Sequence, residues 1–512
     1  MKTTMTCGIG GGLTSETPVP HTASQARRLG HTRIGLFILA GLLAGCIPEK
    51  RIVWSPDGSV GAVATPNGLY FIKPDGAVLK PRLTGTATRC DWFPDGRRLA
   101  VVHSTKAKKW ADIASLFDAE QQKSIEQNAR KLHERVLAHE GSLDNFKVDP
   151  DNTIPAAMET AMMLFVIDRL SEGLPEKFGD KWEQVKDLEV SIWRTQIFTL
   201  EGDKLTAGLV LVSTLNEIHQ PRVAPNSKNV ALLKAGEDTA SDAVGLHVVS
   251  AQGGPTRVVG QSAAFDYDWS PDGRSLAFIY RSPAAADESK GGEYAELGTL
   301  ATIQVADAEG ALLKQWEKLE DKVGLLFHGN LGVRWLSDGR ILFASAEVTL
   351  PATKHDMPQQ WSLYVLDPRT PASVCRVLRR DLDRQVEFSL PRFAVSPDEK
   401  RVLLPGANAG VICYEFASGQ ATVLFESAGG QSEVKSLPTW RTNAEACFVR
   451  PGGPNTSEVV LAVMNGQAKV INKEWPEEMQ EGWLSKPPAS APATTQPESG
   501  RPAAQPAPAT QR

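Results

Sequence analysis

At 512 residues, with 41% hydrophobic and 22% charged side chains, the chain is long enough to bury a large core. A formal net charge of −5 without a basic stripe argues against a nucleic-acid partner. No C-x-x-C pair occurs, which removes zinc-knuckle and thioredoxin-like readings.

In chain order, Arg27, Arg28 and Arg33 precede the apolar run IGLFILAGLLAG at 34–45. A spanning helix needs about 20 apolar residues, so this shorter run reads as a signal-peptide core. It ends in Leu43-Ala44-Gly45-Cys46, which resembles the bacterial lipobox. That resemblance implies cleavage before Cys46 and a diacylglycerol on its sulfur. Residues 1–45 are then a lipoprotein signal peptide and 46–51 an anchor segment, with Cys46 the lipid attachment residue. Ile47 stands where inner-membrane lipoproteins of enteric bacteria often carry Asp. By that resemblance the expected location is the outer membrane, facing the periplasm.

From residue 52 a motif repeats. VWSPDG starts at 53, DWFPDG at 91, DWSPDG at 268, RWLSDG at 334 and AVSPDE at 394, with weaker copies RVAPNS at 222 and TWRTNA at 439. Each is followed by a short apolar run. Ser, Pro and Gly at the first, second and fourth positions suit a type I turn. A run of four to six Leu, Ala, Val, Phe or Ile residues fits a strand buried on both faces. The predicted unit is strand, tight turn, strand, with Trp54, Trp92, Trp269, Trp335 and Trp440 wedged between neighbouring sheets. Repeated units of four short strands point to an all-β fold, a β-propeller over 52–478. Seven blades are expected, or six if the copy at 222 or 439 serves another purpose.

The W-S-P-D-G…L-A-F pattern, a following Tyr-containing strand and an LTG ending resemble the WD-like blades of the TolB propeller, in patches from 52 to about 473. That family's propeller belongs to an envelope machine and binds a peptidoglycan-associated lipoprotein. This chain departs from it in its lipobox, in its count of repeats, and in a first repeat too close to Cys46 for a preceding α/β domain. The partner is therefore not transferred.

Strand alternation orders the connections. In a meander of strands a to d, the a–b and c–d turns share one end, and the b–c loops and blade-to-blade connections share the other. Long excursions follow strand b at 104–190, 281–300 and 346–360 and so belong to one face, where a rigid scaffold commonly keeps its function. The first, 105–190, is a predicted helical insertion in blade 2. Ile125, Ala129, Leu132 and Val136 step at helical spacing, and Met162, Met163, Phe165 and Val166 are expected to pack against the other helices and the propeller rim. Residues 486–512, with seven Pro and seven Ala, are a predicted disordered spacer.

His133, Glu134 and His139 imitate a zinc helix, but histidines six apart point to different sides. His328, His355 and Asp356 fall on the loop face, where three scattered polar residues are ordinary. No G-x-S-x-G elbow, P-loop or EF-hand loop is present. Neither a cofactor nor a metal is expected. Disulfide pairing among Cys90, Cys375, Cys413 and Cys447 stays open. The expected function is a non-catalytic, lipid-anchored envelope scaffold binding a protein or glycan on the loop-rich face. The alternative is a propeller hydrolase or lyase acting on a carbohydrate polymer.

Overall fold

In the computed structural model, residues 51–480 are described, apart from 235–244, 282–298, 328–331, 350–360, 371–375, 380–392, 407–409, 426–436 and scattered shorter gaps. Seven antiparallel four-stranded meanders form blades in a ring. Their inner strands are Ile52–Trp54, Thr86–Trp92, Ile218–Val223, Ala263–Trp269, Val333–Trp335, Ala394–Val395 and Thr439–Thr442. The degenerate copies at 222 and 439 each open a complete blade, so the count is seven.

The tight turn recurs as predicted. The N–H of the fourth turn residue donates to the carbonyl of the first in Gly58, Gly96, Ser227, Gly273, Gly339 and Glu399, at 2.8–3.0 Å. All six have positive φ, between 56° and 88°. That conformation explains glycine in four copies and strains Ser227 and Glu399. The turn Asp is a local brace, its carboxylate taking the Ser hydroxyl two residues earlier at 2.6 Å in Asp57, Asp272 and Asp398.

Apolar runs alternate between two neighbours, as a strand with both faces covered must. In blade 2, Leu99 and Val101 pack toward blade 1 while Ala100 and Val102 pack toward blade 3. Every junction has such a wedge, including blade 7 against blade 1, where Ile52, Trp54 and Ile72 meet Cys447, Val459 and Leu461. Each fully buried aliphatic or aromatic side chain there contributes roughly 1.5–3 kcal/mol. Among the described residues, no strand is exchanged at this last joint. A C-terminal strap closes it instead. Trp475 Nε1 donates to Gly76 O at 2.9 Å, and Met479 is fully buried against blade 1.

Blades 4 and 5 are further joined by a hairpin, Lys318–Leu319 with Val323–Phe327. Its second strand pairs with Thr299–Ala301 of blade 4 and with Glu347–Thr349 of blade 5. The strands preceding residues 282–298 and 350–360 thus end at the same rim.

The helical insertion occupies 108–189, inside the predicted 105–190, because the strands flanking it pair as far as Ala107↔Val190. Its main helices are Ala119–Ala138 and Ala156–Arg169. Asp118 caps the first by accepting from Gln121 N at 2.8 Å. Ile125, Ala129, Leu132 and Val136 are buried in a separate core with Met162, Phe165 and Val166. After these the chain forms only short pieces, Leu174–Phe178, a 3-10 turn and Trp182–Val185. Among the described residues, no helix is long and apolar enough to cross a membrane.

Candidate binding site in the central channel

Aligning the seven motifs puts Val53, Asp91, Arg222, Asp268, Arg334, Ala394 and Thr439 in one column, immediately before the motif Trp position. Because they share a register on the inner strands, the column becomes a ring around the channel. Blades 2 to 5 supply Asp, Arg, Asp, Arg. Blades 6, 7 and 1 supply Ala, Thr, Val.

The charged residues link consecutive blades. Asp91 accepts from Val223 N of the next blade at 2.8 Å. Asp268 accepts from Trp335 N of the next blade at 2.9 Å. Inner-strand N–H groups facing the channel have no ladder partner, and these carboxylates supply one. The adjoining tryptophans reach the other way. Trp92 Nε1 donates to Val53 O at 2.9 Å, Trp269 Nε1 to Arg222 O at 3.0 Å and Trp440 Nε1 to Ala394 O at 2.8 Å. An Asp-Trp pair therefore clasps the blade ahead through Asp and the blade behind through Trp. Trp335 differs, with its Nε1 turned to Gly339 O of its own hairpin at 3.2 Å.

Two residues earlier on the same strands lie Arg89, Gln220 and Asp266. Arg222 bridges both carboxylates of blade 4, at 2.6 Å to Asp266 and 2.9 Å to Asp268. Asp266 also accepts from Val333 N at 3.1 Å and lies 3.6 Å from the Arg334 guanidinium. Arg89 donates to Ile218 O at 3.1 Å and sits 3.6 Å from Glu217. Burial alone would lower the Arg222 pKa, but Asp266 and Asp268 beside it drive it upward. Burial, reinforced by the like charge of Arg222, pushes Arg334 downward. Both guanidiniums keep their charge at any ordinary pH.

These groups line a 410 Å³ cavity that opens among Pro225, Pro271, Ser337 and Glu399 of the tight turns. The wall opposite the charges includes Val53 and Leu437. On the charged side, Gln220 adds backbone strain beside Arg222, with φ of 45°, and its side-chain oxygen is buried without a hydrogen-bond partner. Strain of this kind costs about 1–3 kcal/mol and concentrates at binding sites.

The structure separates the histidines considered from sequence. His133 Nε2 lies 2.9 Å from Glu172 O, whereas His139 packs edge-on against Phe146. Among the described residues, no group of three His, Cys, Asp or Glu could hold a metal. Cys90, Cys413 and Cys447 are free and buried. Burial raises all three thiols, Cys413 to about 11 and Cys447 to about 12. Cys46, His328, His355, Asp356 and Cys375 lie outside the described residues. The channel ring was missed in reading the sequence, although its signal is the residue before each motif Trp.

Fold and channel define a seven-bladed β-propeller with one charged and one uncharged channel arc. No protein-family model matches the chain, and no curated protein matches it in sequence. Three solved structures to which it is similar are propellers or propeller-containing proteins by this comparison. The Cps50 (Swd1) β-propeller domain of Myceliophteria thermophila is 9% identical, with a TM-score of 0.40 over 78% of this chain and 93% of that one. Oligogalacturonate lyase from Vibrio parahaemolyticus is 14% identical, with 0.36 over 73% and 75%. The putative TolB from Agrobacterium tumefaciens is 15% identical, with 0.32 over 52% and 84%. Likeness at this level carries no argument about function.

Proposed function

We propose that this protein is a non-catalytic binding scaffold of the bacterial cell envelope, tethered through lipid on Cys46 to the periplasmic side of the outer membrane. Its ligand is an envelope protein or glycan, engaged at the channel mouth among the tight turns, on the face opposite the loop-rich one expected from the sequence. The supporting observation is the use made of the channel carboxylates. Asp91, Asp266 and Asp268 each accept from a backbone N–H of the next blade, and the latter two also hold Arg222. A glycan-cleaving acid–base pair needs one carboxyl carrying a transferable proton. These carboxylates are instead committed as acceptors for backbone N–H groups and the Arg222 guanidinium, which favours binding over cleavage.

The test is chemical cross-linking in native membranes followed by recovery of the tagged full chain. One arm replaces Glu399 with Arg at the channel mouth. A second removes 108–189 and joins Ala107 to Val190 by a two-residue Asn-Gly turn. The partner should be recovered by the parent and by the deletion but lost with Glu399→Arg. Release of oligosaccharide from envelope polymer by the purified protein would overturn the reading.

A further inference from the structure

We infer that the helical insertion rests on the lipid headgroup surface, held there by a short tether, and that the channel mouth is thereby turned away from the membrane. This rests on reading Cys46 as the lipid attachment residue.

The first ground is where the chain enters the disc. Arg51 O accepts from Ala64 N at 2.9 Å, one residue from the b–c turn between Thr65 and Gly68. The chain therefore arrives on the b–c face, at an inner strand near the disc axis. Six Cα steps separate Cys46 from Ile52, a reach of at most about 22 Å at roughly 3.3–3.6 Å per residue.

The second ground is what stands on that face. The insertion leaves and re-enters at Ala107↔Val190, three rungs beyond the inner strand's outermost pair, Thr86↔Ser104. Its helix Ala119–Ala138 has 20 residues, about 30 Å at 1.5 Å per residue. Its core meets the propeller at Ala107, Val190, Ile192 and Leu215, all at the ends of blade 2 strands. The insertion therefore stands on one blade, on the face where the tether enters. A disc held that close by its centre brings this module against the lipid. Exposed Lys123, Arg130 and Lys131 on that helix suit headgroup phosphates.

The C-terminal strap ends on the same face, where Asn67 Nδ2 donates to Glu478 O at 3.1 Å. Both ends of the described chain and the insertion thus share one side. The Pro225, Pro271 and Ser337 rim of the cavity belongs to the other.

The test uses the full lipidated chain in phosphatidylethanolamine–phosphatidylglycerol vesicles containing a nitroxide-headgroup lipid. With Cys375→Ser throughout and the other thiols buried, a fluorophore is attached at Lys131→Cys or Gln184→Cys on the insertion, or at Arg97→Cys on the turn face. Emission should fall at one or both insertion positions and stay unchanged at Arg97→Cys. Equal quenching at all three, or quenching at Arg97→Cys alone, would overturn the orientation. A Gly/Ser segment of 20 residues placed between Lys50 and Arg51 adds roughly 22–27 Å of mean reach. It should abolish insertion quenching while the protein stays on the vesicles; unchanged quenching would refute the tether as the cause. Cys46→Ser should release the protein altogether. Its retention on vesicles would refute the anchor itself, a failure separate from that of the orientation.

Discussion

The two arcs of the ring are held together differently. Across blades 2 to 5, inner strands are joined by ionic and charge-assisted contacts, with Arg222 bonded to two carboxylates and Asp266 reaching blades 3 and 5. Across blades 6, 7 and 1 the same column is Ala394, Thr439 and Val53, and the joints combine apolar packing and the strap with the Trp440 clasp and with guanidinium bonds outside the channel, Arg401 to Asn443 O and Arg441 to Gly58 O. Buried ion pairs lose much of their Coulomb gain to desolvation, whereas apolar wedges do not. An arc that keeps charges facing a cavity is therefore one where something other than stability is served. The uncharged arc shows that a blade junction of this fold closes without them.

The largest effect should come from breaking the ionic arc by one partner. Arg222→Ala leaves Asp266 and Asp268 facing each other in a buried site, and should cost about 3–5 kcal/mol in chemical denaturation. Replacing the three together, Arg222→Met with Asp266→Leu and Asp268→Leu, should cost less than the single change. A loss below about 1 kcal/mol for Arg222→Ala would mean the contacts do not clasp the blades. In the uncharged arc the matching experiment is Trp475→Ala. It removes a nearly buried indole and its bond to Gly76, and should cost about 3 kcal/mol, the lower end for a large aromatic because the strap is terminal.

The tryptophan clasps come next. Trp269→Phe and Trp440→Phe keep most of the wedge but leave the Arg222 and Ala394 carbonyls without their indole donor, about 1–3 kcal/mol each. Since both arcs use this bond, the two losses should match. Trp335→Phe should cost less, because its Nε1 serves only its own hairpin. Three similar losses would erase the distinction.

Acid should act on both arcs alike. The Asp57 and Asp272 carboxyls are held below the usual carboxylate range, first by the Ser55 and Ser270 hydroxyls respectively. A depressed folded pKa gives stability that is complete above the unfolded value of about 3.9 and is lost as pH falls through the folded value. Both groups are largely exposed, so each should contribute under about 1 kcal/mol. Asp57→Asn and Asp272→Asn should flatten the acid limb of the stability profile equally, read by thermal denaturation from pH 6 to about 2.

The fold was legible because its signals are local. Turn chemistry and doubly buried strands repeat in every copy, and the apolar runs after 222 and 439 survived the loss of glycine. The candidate site was less legible because its residues come together only after the copies are brought into register. Asp91 or Arg334 alone reads as a polar residue before a turn. Four in one column, alternating in sign, form a ring only once strands far apart in sequence share a level. The Lys318–Phe327 hairpin was illegible for the same reason, since its partners at 299–301 and 347–349 lie on two other blades.

The smallest effect separates the two strained turns. Ser227 in the charged arc and Glu399 in the uncharged one occupy the left-handed conformation at 61° and 56°, at a cost of roughly 1–2 kcal/mol for a residue with a Cβ. Glycine removes that cost and adds about 0.5–1 kcal/mol of unfolded-chain entropy. Ser227→Gly should therefore stabilise the protein by about 0.5–1 kcal/mol, the difference between those two quantities. Glu399→Gly makes the same backbone gain. It also removes a carboxylate that accepts from Ser337 N and Ser337 Oγ, each at 2.7 Å. At about 1 kcal/mol for each exposed bond, the balance turns to a small loss. Thermal denaturation of the two variants should move in opposite directions. Stabilisation by both would show that the Glu399–Ser337 link between blades 5 and 6 contributes nothing, leaving the uncharged side of that junction to packing alone.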